Sequence, residues 1–200
     1  MIKPFAEVIQ SSITSSTIQC WQWNVVPELG SLITIQTKKH LNFGIINSIQ
    51  LGSIDPSRQP YAYQKTEEEL LAEQPQVFEF LQTTCTYLPV GFMENNSMYY
   101  QLPPTPPNIH SFVSLATQEH YQTFFATEMY LPLLLQPQNI PHEELLLALL
   151  RKRATHNALT KKSLLHCIDL FAYHCNDYRK LRLFLQRIEA TNHYFQQLSL

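Results

Sequence analysis

His166-Cys167 and His174-Cys175 place four potential zinc ligands within ten residues. Their spacing argues against a metal. On one continuous helix, positions eight apart lie about 12 Å apart along the axis and about 80° apart around it. Zinc ligands must instead converge to about 2.0–2.3 Å from a single ion. Cys20 and Cys85 would serve as nucleophiles only if the fold brought a base such as His110 beside them. The competing reading is that of buried structural thiols. The four cysteines form no CxxC pair, a pattern that suits reduced thiols in a cytosolic core rather than a disulfide framework.

Phosphate and acyl chemistry lack their sequence marks. The four glycines, Gly30, Gly44, Gly52 and Gly91, are too widely spaced for GxGxxG, and none begins a GxxxxGK[ST] loop. GxSxG and HExxH are also missing. The sequence therefore predicts no catalytic residue, no metal and no cofactor, with an enzyme lacking a recognisable motif as an alternative. The most informative polar group is Asp55, Arg58, Tyr61 and Tyr63, on one aperiodic stretch from Gly52 to Tyr63. A carboxylate, a guanidinium and two phenols on a loop can recognise polar groups or another chain. An internal Asp55–Arg58 brace is the competing reading.

Phe5–Gln10 and Thr17–Asn24 read as a hairpin around a serine-rich turn, and Ser31–Thr37 as a half-buried strand. Leu41–Leu51 reads as a strand with Phe43, Ile45, Asn47 and Ile49 on one face, and Gly44 marks a bulge or corner. Four short strands in about fifty residues predict a small antiparallel barrel, with an open sandwich sheet as the alternative. Thr66 and Glu67–Glu69 open a helix running to Leu81, which Pro75 kinks or splits. Thr84–Phe92, Met98–Leu102 and Ile109–Leu115 read as further strands. The intervening Pro103-Pro104-Thr105-Pro106-Pro107 is read as a stiff connector, with a PxxP ligand as the formal alternative. Three helices follow, from Pro141, from Thr160 and from Asn176-Asp177, each with an apolar stripe.

A hydrophobic content of 44% with 12% aromatic residues suffices for a real core, and 15% charged residues is low. The net charge of −2 divides unevenly, with −8 up to Leu150 and +6 beyond it. Such asymmetry fits self-association or nucleic-acid contact, and also plain solvated helix faces. The longest unbroken apolar run, Leu145–Leu150, is too short for a bilayer, and no signal-like stretch follows Met1. Membrane insertion is not expected, and a cytoplasmic location is.

Phe5-Ala6-Glu7-Val8-Ile9, Gly30-Ser31-Leu32-Ile33-Thr34-Ile35 and Phe43-Gly44-Ile45-Ile46-Asn47-Ser48-Ile49 resemble the HAS-barrel pattern. That small N-terminal barrel is shared by HerA-type DNA-translocating ATPases and the ring subunits of F-type ATP synthases. The run Gly52–Tyr63, with Thr66–Leu70 and Glu73–Gln76, looks like a stand-alone family of HAS-barrel proteins found in cyanobacteria and similar bacteria. The resemblance covers about residues 5–115 and implies partner docking and ring assembly; the ATPase core is replaced here by helices. The overall expectation is an α+β chain: a barrel over 1–115 with an inserted helix near 66–82, then a predominantly helical region over 116–200. Its expected role is that of a non-catalytic adaptor binding another protein or itself. Nucleic-acid binding through the barrel and the basic helices is the alternative.

Overall fold

Among the described residues seven strands form one antiparallel sheet, and six of them close on themselves. The structure, a computed structural model, describes residues 3–55, 61–136, 140–175 and 177–190. The strands are β1 (Ala6–Gln10), β2 (Ser16–Cys20), β3 (Leu32–Gln36), β4 (Leu41–Ser53), β5 (Leu81–Glu94), β6 (Ser97–Tyr99) and β7 (Phe112–Leu115). β1 pairs with β2 and β7, β7 with β3, β3 with β4, β4 with β5, and β5 back to β2. This closed ring is the predicted small barrel, not the sandwich alternative, and it leaves no free edge among its six strands. β6 lies outside the ring as a hairpin partner of β5. Asn95 and Asn96 make its turn with φ of 49° and 63°, the paired left-handed conformation that a tight hairpin demands and that asparagine tolerates.

Several predicted boundaries move. β2 ends at Cys20, because the chain turns through residues 21–24. β7 begins at Phe112 instead of Ile109, after His110 adopts a φ of 65°. The predicted helix through Leu81 is two helices, α1 (Glu67–Glu73) and α2 (Gln76–Glu79), split at Pro75, and Leu81 opens β5. The start is as read: the Thr66 hydroxyl accepts from Glu69 N–H at 3.2 Å, and the Glu69 carboxylate accepts from Thr66 N–H at 2.8 Å.

The buried apolar residues separate into two clusters. One takes residues from all six ring strands: Ala6 and Val8, Ile18 and Cys20, Ile33 and Ile35, Ile46, Cys85 and Tyr87, Val113. A set drawn from every strand with spacing two is the filling of the barrel. The other begins on the outer wall with Leu32, Phe43, Ile45 and Val90 and continues into the helices. β3, expected to be half-buried, is therefore buried on both faces over Leu32–Ile35, because the helices cover the outer face of the wall whose inner face fills the barrel.

The helices are α3 (Gln118–Phe124), α4 (Leu131–Leu134), α5 (His142–Thr155), α6 (Lys161–His174) and α7 (Tyr178–Ala190), completing an α+β fold. α3 and α4 are new to the sequence reading; at seven and four residues they are too short to show a repeating stripe. α5 buries Leu145, Leu146, Leu149 and Leu150 against the barrel. At Gly30, with φ of 76°, an added Cβ would stand 2.7 Å from the Ala148 and Leu149 backbone, so the turn before β3 and α5 touch directly. Behind α5, Arg153 lies fully buried and forks onto Glu128 with contacts of 2.8 and 2.9 Å. It also donates to Tyr130 Oη at 2.8 Å and to the Ala158 carbonyl at 3.1 Å. Burial alone would lower the guanidinium, but Tyr130 and Glu128 outweigh it and hold the group above its ordinary value.

Candidate functional site

β4 and β5 are the longest strands, with thirteen and fourteen residues, and they form a ribbon longer than the barrel. β2 pairs with β5 only over Thr84–Tyr87, whereas the β4–β5 ladder runs on to Ser53 opposite Leu81. The projecting end of the ribbon carries the insert with α1 and α2. Neither helix buries a single residue. The insert is held at its base, where Ile54 N–H donates to the Phe80 carbonyl at 2.8 Å and the Gln82 side chain donates to the Ser53 carbonyl at 3.2 Å.

Between this base and the turn after β2 lies a groove of about 360 Å³, lined by Trp21, Trp23, Ile54, Phe78 and Glu79 among others. Trp23 stacks on Phe78 with ring centroids 5.3 Å apart. The turn is anchored by Thr83, whose hydroxyl donates to the Trp23 carbonyl at 2.5 Å. Apolar side chains lining the groove remain open to solvent: Trp21 is 49% exposed and Ile54 52%. Trp21 is oriented by its indole N–H, which donates to Glu7 at 3.0 Å, and by an edge contact with Phe112. The insert is acidic, carrying Asp55, Glu67, Glu68, Glu69, Glu73 and Glu79 against Arg58 and Lys65, and Lys65 pairs with Glu73.

The residues singled out in the sequence fall near this end. Asp55 directly follows Ile54, and its N–H donates to Ser53 Oγ at 3.2 Å. Tyr61 and Tyr63 meet, with ring centroids 4.3 Å apart; the hydrogen bond from Tyr61 raises the Tyr63 hydroxyl above its ordinary value. Arg58, and with it the Asp55–Arg58 brace, lies outside the described residues. The aromatic lining of the groove was not read from the sequence as a site. Taken as one strand, Thr17–Asn24 would set Trp21 and Trp23 on a common face; the turn at residue 21 instead sends Trp23 onto Phe78 of the insert and Trp21 toward Glu7 and Phe112.

The other candidates take structural positions. Cys20 and Cys85 both belong to the barrel filling; hydrogen bonding to the Cys20 thiol and burial together raise Cys85. His110 sits outside the barrel, 3.1 Å from Glu7. On α6, Cys167 is buried and donates to Glu128 at 3.2 Å, with burial pushing its pKa up to about 12, while His174 Nδ1 is 2.8 Å from the Leu170 carbonyl oxygen. Cys175 turns to the Asp177 carbonyl. Among the described residues no group of three or more His, Cys, Asp or Glu is arranged to hold a metal ion. None of their helices is long and apolar enough to cross a membrane.

No protein-family model matches the chain, and no curated protein matches it.

Proposed function

We propose that this chain is a non-catalytic docking module that binds another protein, or a second copy of itself, through the projecting end of its barrel. The observation that carries the reading is the exposure of Trp21 and Ile54 on one groove that also holds the Trp23–Phe78 stack. Contiguous exposed apolar surface marks interaction sites, and tryptophan and phenylalanine are typical anchors. The acidic insert beside it favours a partner with basic flanks. The resemblance to HAS barrels, whose ATPase relatives use the barrel for docking, points the same way, and a cytoplasmic setting belongs to this reading.

The test is mass in solution, by light scattering coupled to size exclusion at two ionic strengths, together with retention of partners on the immobilised protein. A defined oligomer or complex that Trp21→Ser with Ile54→Ser disperses is the expected result. A monomer that retains nothing, or a complex indifferent to both substitutions, would remove the support. A second reading, nucleic-acid binding, rests on Lys161, Lys162, Arg179, Lys180 and Arg182, which are exposed and make no ion pair among the described residues. A salt titration against single- and double-stranded DNA and RNA decides it, because phosphate contacts impose a steep salt dependence.

A further inference from the structure

His40, Asn42 and Gly44 follow one another along the same side of the chain as it enters and runs along β4, since side chains alternate along extended backbone. Across the β3–β4 ladder Asn42 faces Ile35 and Gly44 faces Ile33. Both isoleucines belong to the filling of the barrel, so this side of β4 points inward. The filling changes character along it. At Gly44 the Tyr87 ring closes over the backbone so tightly that an added Cβ would meet it at 2.3 Å. Two residues nearer the β3–β4 turn stands Asn42, buried, with neither its Oδ1 nor its Nδ2 hydrogen-bonded. Two residues further stands His40, 5% exposed, whose Nε2 is also without a partner. Buried polar atoms are normally satisfied, and several left unpaired at one end of a small barrel call for an explanation.

That end of the barrel opens into a groove of about 460 Å³, within the range of small-molecule sites. His40 lines it together with Lys38 and Lys39 on the β3–β4 turn, Thr105 and Asn108 on the proline-rich connector, and Glu94 at the end of β5. The turn is fixed by its own hydrogen bonds. Thr37 Oγ1 donates to the His40 carbonyl at 2.8 Å and accepts from His40 N–H at 3.1 Å, while the Gln36 amide donates to the Thr37 carbonyl at 2.7 Å. Lys38 and Lys39 are exposed and make no ion pair among the described residues. Two ammonium groups thus stand on a braced turn over a polar barrel mouth, with Glu94 as the one opposing charge among the described residues that line the groove.

We propose that this barrel mouth is a binding site for a small oxyanion, a phosphate or carboxylate group, whose charge Lys38 and Lys39 meet and whose oxygens reach the hydrogen-bonding side chains beneath them. Mouths of β-barrels are common places for such sites, and ammonium groups are ordinary phosphate binders. The site lies at the opposite end of β4 from the docking groove and stands independently of the function proposed for that end.

The experiment is an ¹H–¹⁵N titration of the full chain with inorganic phosphate and, separately, acetate, each matched for ionic strength with potassium chloride. Saturable shifts confined to amides 37–42 and the His40 ring nitrogens, absent with chloride, are expected; whichever anion saturates at lower concentration identifies the oxyanion. Lys38→Ala with Lys39→Ala should weaken binding at least tenfold, and Glu94→Gln should strengthen it severalfold by removing the like charge. Both variants alter side chains outside the two apolar clusters, so each is expected to fold. Shifts that chloride reproduces, no saturation with either anion as for a mouth satisfied by ordered water alone, or an affinity unchanged in the double-lysine variant would overturn the proposal.

Discussion

Replacing Arg153 with Met keeps a long, flexible side chain at the centre of the helical region and removes only its charge and donors. Those donors reach the Glu128 carboxylate twice, Tyr130 Oη, the Ala158 carbonyl and, at 3.3 Å, Ser163 Oγ. What remains is Glu128, 7% exposed, with only the neutral Cys167 thiol and Tyr130 hydroxyl beside it. Breaking a buried pair by deleting one member costs about 3–5 kcal/mol, because the other charge stays desolvated. Against a typical total of about 5–15 kcal/mol the loss is large. With a urea dependence of about 2.5 kcal/mol per molar, the midpoint of unfolding should fall by roughly 1.2–2 M. One further result follows from the same cause. Adding Glu128→Met to Arg153→Met should restore at least half of the loss, since an apolar pair leaves no charge behind. A single-variant cost under about 1 kcal/mol, or a double variant as unstable as the sum of the two singles, would refute the view that Arg153 acts by compensating Glu128.

Three other outcomes are expected. Gly44→Ala should cost about 1–3 kcal/mol by overpacking, since its Cβ would stand 2.3 Å from the Tyr87 ring; thermal unfolding of Gly44→Ala and of Gly44→Ala with Tyr87→Leu checks this, and the second change should recover part of the loss. Burial lowers the pKa values of both His120 and His156. Their unfolded forms therefore bind protons first, so stability should hold above the unfolded value of about 6.5 and decline as pH falls from there toward the folded values; urea midpoints across that window, flattened by His156→Gln, provide the measurement. Thr66→Ala removes a cap whose usual contribution is about 0.5–2 kcal/mol. Because α1 buries nothing, the effect should be faster hydrogen exchange over residues 67–73 with the global midpoint almost unchanged.

The strands, the capping box at Thr66 and the three C-terminal helices were all legible locally. Each is declared by neighbours within about eight residues, through alternation, caps or turn chemistry. The acidic first turn of α1 was equally plain. Closure of the barrel was inferred from strand number and short links, but the pairings that perform it, β1 with β7 and β2 with β5, join residues far apart in sequence. Only the tertiary structure decided which faces are covered. Leu32–Ile35 is buried on both sides because helices lie over one wall of the barrel, and the same covering buries Arg153, a residue that composition alone assigns to water. Trp21 and Trp23 became a groove, and His40 and Asn42 a polar mouth, when a turn and a closed sheet set their directions. Local patterns fix backbone periodicity; where a side chain finally points depends on contacts made after distant segments meet.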